Sequence, residues 1–97
     1  VAPCSAQTLA RLAHGFADDV LSCAALALAA PLLVAPAMNT RMWQNPAVRE
    51  NVATLKRRGA PIVPPGKGAL ACGDAGAGRL SDLDAIVRAV AKAIGER

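Results

Sequence analysis

At 97 residues the chain is long enough for one domain with a light core and little stability in reserve. Its 54% hydrophobic content is globular, yet only Phe16 and Trp43 are aromatic, so the core must be close helix-on-sheet packing. A net charge of +4, with cations gathered at Lys56, Arg57 and Arg58, invites phosphate, but no stacking aromatics stand beside them and nucleic-acid binding is set aside.

Val1-Ala2-Pro3 reads as the tail of a buried strand entering a loop, so the sequence is taken as the C-terminal part of something larger, or a short relative of it. Thr8 to His14 predicts a helix with Leu9, Leu12 and Ala13 on one face, interrupted by Gly15. Ala17 to Ala30 predicts a second, alanine-rich helical segment that Pro31 ends. Leu32 to Ala35 is a short apolar run without alternation, the pattern of a parallel strand covered on both faces. A loop over Met38 to Trp43 follows. Asn45 then serves as N-cap, Pro46 as first helical residue, Val48, Val52 and Leu55 as the apolar stripe, and Gly59 as the stop. The Lys56–Arg58 cluster falls at that helix's negative end, where cations belong.

Pro61 to Val63 predicts another short strand. Pro64 to Arg79 has five glycines and no periodicity and is expected to be a long mobile loop. Ser81 with Asp84 predicts a capping box for a last helix whose buried face is Leu83, Ile86, Val87, Val90 and Ile94. Helices alternating with apolar strands argue for an α/β parallel sheet, in which ligands bind beyond the strands' carboxyl ends. Pro3–Thr8 and Pro36–Trp43, the two unusual loops, both follow strand ends.

Val20 to Met38 carries no charge, but Pro31 and Pro36 interrupt it, and a helix followed by a buried strand explains it better than a membrane span. No signal peptide is legible. Cys4, Cys23 and Cys72 make an odd count without a C-x-x-C pair, which points to reduced thiols in the cytoplasm rather than disulfides or a metal site.

Pro36-Ala-Met-Asn-Thr-Arg-Met-Trp43 concentrates the chain's only tryptophan and both methionines. These residue types suit a small-molecule site: Asn39 can donate to a carboxylate, and methionines make adaptable apolar walls. The plainer reading is a loop with Asn39 as a helix cap and Trp43 plugging the core.

The stretch matches the P-x-M-N-x-x-M-W signature of the flavin-dependent cysteine decarboxylases. Ala2–Thr8, APCSAQT, resembles their flavin loop P-A-S-A-N-T, and Ala13–Ser22 resembles the segment after it. Gly68–Leu80, GALACGDAGAGRL, resembles the clamp of the phosphopantothenoylcysteine decarboxylase branch. Four motifs run in the family's order and spacing over nearly the whole chain. The sequence is thereby similar to the C-terminal portion, over residues 1–97, of a single flavoprotein domain.

The resemblance implies an α/β flavodoxin-like fold whose N-terminal βα units are missing, FMN as cofactor, and a homotrimer with active sites at subunit interfaces. It implies a reaction in which the thiol of 4'-phosphopantothenoylcysteine is oxidised to a thioaldehyde, the carboxylate leaves as carbon dioxide, and the enethiol is reduced to 4'-phosphopantetheine. Carried over position by position, Asn39 holds the substrate carboxylate and Cys72 donates a proton in the last reduction. Pro3, Ser5, Gln7 and Thr8 are flavin-loop positions, and Ala37, Met38, Asn39 and Met42 line the substrate. The sequence departs from the pattern at Cys4, Gln7 and Leu80, where the family has alanine, asparagine and methionine.

The family's catalytic histidine would lie before Val1; His14 is not its counterpart and is read as structural. Two rival readings are a non-catalytic subunit lending Asn39 and Cys72 to a shared site, and a peptidyl-cysteine decarboxylase. A plain NAD-binding half-domain fails for lack of a G-x-G-x-x-G turn.

Overall fold

A computed structural model describes residues 1–69 and 75–95, with backbone alone at 67–69 and 75–78. The first helix, α1 (Ala6–His14), starts two residues earlier than Thr8 because Ser5 caps it, its hydroxyl accepting the Thr8 N–H at 3.2 Å. Gly15 ends it in the left-handed conformation, φ 72°, which a side chain would strain. Leu9, Leu12 and Ala13 are buried, as their spacing predicts.

The second helix, α2 (Val20–Leu26), is shorter than the expected Ala17–Ala30 at both ends. Its start is fixed by a capping box: Asp19 accepts the Ser22 N–H at 2.7 Å while the Ser22 hydroxyl faces back to the Asp19 N–H. Ser22's bonds hold the Asp19 carboxyl below its ordinary pKa, and Arg11 reaches Asp18 at 2.8 Å and Asp19 at 3.7 Å. At the other end residues 27–30 are exposed and lead into Pro31, so neither packing nor local geometry extends the helix.

Three extended segments lie side by side. The Ala35 N–H donates to the Val1 carbonyl at 2.9 Å, and the Val34 N–H donates to the Pro61 carbonyl at 3.0 Å. Val63 N–H returns a bond to the Val34 carbonyl at 2.8 Å, so the middle segment is held from both sides. The bridges Cys4–Pro36 and Val34–Ile62 are both parallel. Val34 and Ala35 are wholly buried, as expected of an apolar run covered on both faces.

Where a loop was expected after Met38, a short helix, α3 (Thr40–Gln44), forms instead. Asn45 ends it and caps α4 (Pro46–Arg57), its side chain accepting the Ala47 N–H at 2.9 Å. Val48, Val52 and Leu55 turn inward and pack α4 on α1. Gly59, φ 85°, makes the exit.

Within the expected mobile loop at Pro64–Arg79, β1 (Gly66–Ala69) and β2 (Ala75–Arg79) instead pair antiparallel, Gly68 opposite Gly76 and Ala69 opposite Ala75, while residues 70–74 of that expectation lie outside the described residues. Ladder bonds use only backbone groups, so a glycine-alanine tract can pair without any side-chain alternation. The last helix, α5 (Leu83–Ala93), is capped by Asp82, which accepts the Ala85 N–H at 2.9 Å; the expected Ser81–Asp84 box gives way to this cap one residue later. Its expected buried face is also corrected: none of its residues is buried, and Leu83, Val87, Val90 and Ile94 are exposed. Periodicity records which face is apolar, not what covers it.

Candidate functional site

Two backbone hydrogen bonds assemble the site. The Cys4 N–H donates to the Ala35 carbonyl at 2.9 Å, and the Ala37 N–H donates to the Cys4 carbonyl at 3.0 Å. They bring Pro3–Thr8 beside Pro36–Trp43 where two neighbouring parallel segments end. In open α/β folds this is where ligands bind.

Pro3, Ser5 and Gln7 are exposed and Thr8 is half-buried. The Ser5 hydroxyl lies 3.2 Å from the Thr8 hydroxyl, and the two stand at the N-terminal end of α1. That first turn carries no acidic residue, so the positive dipole end of α1 suits an electron-rich ligand. These residues fit a flavin: two hydroxyls and the Gln7 amide offer donors and acceptors, and no acidic side chain stands in the first turn of α1 to repel a phosphate or a ring carbonyl.

Asn39 is the N-cap of α3, its Oδ1 accepting the Arg41 N–H at 2.8 Å. The plainer reading of Asn39, a helix cap, is thus the geometry observed. The cap uses the side-chain oxygen, and the residue is exposed, so its amide nitrogen offers N–H donors of the kind a carboxylate accepts. Ala37 and Met38 are half-buried, Met38 packing on the core, and Met42 is exposed.

Trp43 is buried in the core rather than at the site. Nothing in the sequence spacing singles out Arg49, whose guanidinium sits 4.6 Å above the Trp43 ring. The contact spans the α3–α4 corner and braces the helix that carries Asn39 and Met42. Cys72 lies outside the described residues; β2, the arm that follows it, packs against α3.

Cys4, where the family's loop has alanine, is a wholly buried core residue, small and apolar enough for the space. Burial pushes its thiol up to about 11, so it stays protonated at ordinary pH. Cys23 is exposed. Iodoacetamide at pH 8 is expected to modify Cys23 and spare Cys4 until the chain is unfolded, as read by peptide mass mapping. Equal labelling of both in the native state would contradict the packing. The His14 Nε2 shares a 3.1 Å hydrogen bond with the Asn51 Oδ1 of α4, which supports its structural reading.

The family model described as Flavoprotein matches residues 1–95. The chain is 50% identical over 92 residues to a probable phosphopantothenoylcysteine decarboxylase of Streptococcus mutans, a match covering 93% of this chain and 51% of that protein. Among solved structures, a cysteine-to-serine mutant of PPC decarboxylase complexed with pantothenoylaminoethenethiol superposes with a TM-score of 0.87 at 42% identity, covering 92% of this chain and 50% of that one. The FMN binding protein AtHal3 superposes at 0.80 with 43% identity, covering 92% and 49%. The chain thus spans about half the length of the relatives it matches.

Proposed function

Since the chain belongs to the flavoprotein family, we propose that it supplies part of the active site of an FMN-dependent decarboxylase. The substrate is 4'-phosphopantothenoylcysteine, the product 4'-phosphopantetheine, and the setting coenzyme A synthesis. The observation that carries this reading is the pairing of Cys4 with Ala35 and Ala37, which sets the flavin-loop positions against the Asn39 segment.

Ser5, Gln7 and Thr8 would hold the flavin at the start of α1. Bound there, FMN supplies the two-electron oxidation of the substrate thiol and the later reduction. This chain's residues do the rest. Asn39 donates its Nδ2 hydrogens to the substrate carboxylate, fixing its direction without neutralising it. Ala37, Met38 and Met42 form an apolar wall that keeps water from the departing carbon dioxide. The Cys72 thiol delivers a proton to the enethiol carbon. A relative of which a cysteine-to-serine mutant was solved with an ethenethiol supports a late role for cysteine in this chemistry.

The finer architecture follows the same reading. The three parallel segments are strands of a flavodoxin-like sheet, and the residues belong to the C-terminal portion of one decarboxylase domain. The complete assembly is a cytoplasmic homotrimer with sites at subunit interfaces. Among the described residues, no helix is long and apolar enough to cross a membrane.

The test joins this chain to the portion of the Streptococcus mutans relative that it does not span. The fusion is expected to purify yellow and to convert 4'-phosphopantothenoylcysteine, with carbon dioxide release and product identified by mass spectrometry. The 97 residues alone are expected to bind FMN weakly in a fluorescence titration, because the family's phosphate-cradling loop is not among them. A flavin-loaded fusion that released no carbon dioxide would overturn the assigned reaction. Tight stoichiometric binding by the 97 residues would place the cradle in this chain instead.

A further inference from the structure

A cleft of about 320 Å³ opens between α1, α2 and α4. It lies away from the candidate site: Leu32, which lines it, opens the extended run whose far end, Pro36, enters the Asn39 segment. The core residues Leu12 and Leu55 form its floor with the half-buried Leu32, and the exposed Phe16, Leu26 and Pro31 stand at its rim. Its size is at the lower end of the about 300–1,000 Å³ that small-molecule sites occupy. Two cations, Arg11 and Arg58, line the cleft, and no acidic residue does. Arg11 is already matched, reaching Asp18 at 2.8 Å and Asp19 at 3.7 Å. Arg58 is exposed and makes no ion pair among the described residues. Nor is it needed against the negative end of α4, where Lys56 and Arg57 already stand in the last turn.

We propose that this cleft binds a small amphiphile with a carboxylate head and an apolar tail. The tail covers Leu12, Leu32 and Leu55, and the planar guanidinium of Arg58 takes the head as a bidentate pair. Charge selects a carboxylate over a phosphate ester. Only one cation is unmatched, and the carbonyl ends of α1 and α4, at Gly15 and Gly59, border the same space and oppose a second negative charge. A ligand there touches all three helices at once, so it stabilises the folded chain by mass action. None of these residues belongs to the flavin loop or to the Asn39 segment, so the proposal stands apart from the assigned reaction and its test measures no activity.

Octanoate titrated into the isotope-labelled chain, followed by amide chemical shifts, tests the site. The amides of Gly15, Phe16, Gly59 and Ala60 should shift together along one saturable curve, and the thermal midpoint should rise by more than about 2 °C at saturation. Arg58→Gln, a change at an exposed position, should weaken binding at least about fivefold, and Arg58→Lys should recover part of the loss. Leu26→Glu, which brings a like charge to the rim, should weaken it as well. Octanol, with the same tail and no charge, should bind at least about fivefold more weakly than octanoate. Equal affinity for the two probes, or for Arg58→Gln and the unsubstituted chain, would overturn the proposal by removing the head from recognition. Inorganic phosphate shifting the same amides as strongly would overturn it by removing the tail. So would shifts confined to the amides of Ile86 and Val90, which would put octanoate in the apolar cleft between α2 and α5 instead.

Discussion

Cys72→Ser in the complete decarboxylase is expected to release carbon dioxide once per flavin and then stall. Oxidation of the substrate and loss of its carboxylate come before any need for a proton at the enethiol carbon. Serine preserves the size of the side chain, but its hydroxyl is a far weaker acid than a thiol with a pKa near ~8.5, so the final transfer slows greatly. A single-turnover experiment should show bleached flavin absorbance and a product that mass spectrometry places two hydrogens short of 4'-phosphopantetheine. Continued multiple turnover would reduce Cys72 to a bystander. Loss of carbon dioxide release itself would move its role to substrate binding.

Asn39→Asp is expected to act earlier and to leave the fold intact. Aspartate caps helices as well as asparagine, so the bond to the Arg41 N–H persists. What changes is the other half of the group: a donor becomes a like charge facing the substrate carboxylate. In a desolvated site that costs about 2–5 kcal/mol, or roughly 30- to 5,000-fold in turnover. Asn39→Ala separates the two roles, since it removes cap and donor together and should cost about 1 kcal/mol of stability as well. An aspartate variant with unchanged melting and near-normal carbon dioxide release would leave Asn39 as a cap alone.

The parts of the fold that were legible are those whose local chemistry and tertiary setting agree. In α4, a cap at Asn45, proline at the first position and the stripe Val48, Val52 and Leu55 all point the same way, and the helix forms where they place it. The middle extended segment was legible because Val34 and Ala35 are covered on both sides. The hairpin was not, because glycine and alanine leave no side-chain trace of backbone pairing. Nor were the ends of α2, where alanine carries helix propensity but marks no boundary until Asp19 and Ser22 close the capping box. Around the candidate site, the cap residue type at Asn39 was legible, yet only three-dimensional contact sets Arg49 over Trp43, six positions away and around a corner.

That corner has a mechanical consequence. Asn45 is at once the C-cap of α3 and the N-cap of α4, so the two helices meet with that single residue between them. Each residue of an α-helix advances the chain by about 100° around its axis, from about 3.6 residues per turn. A single insertion at the joint would therefore have no slack to absorb it. It would either swing Asn39 and Met42 off their bearing toward the flavin loop or prise Trp43 out of its socket beneath Arg49. The elbow behaves as a keyed coupling rather than a hinge, and its spacing should tolerate changes in side chain far better than changes in length.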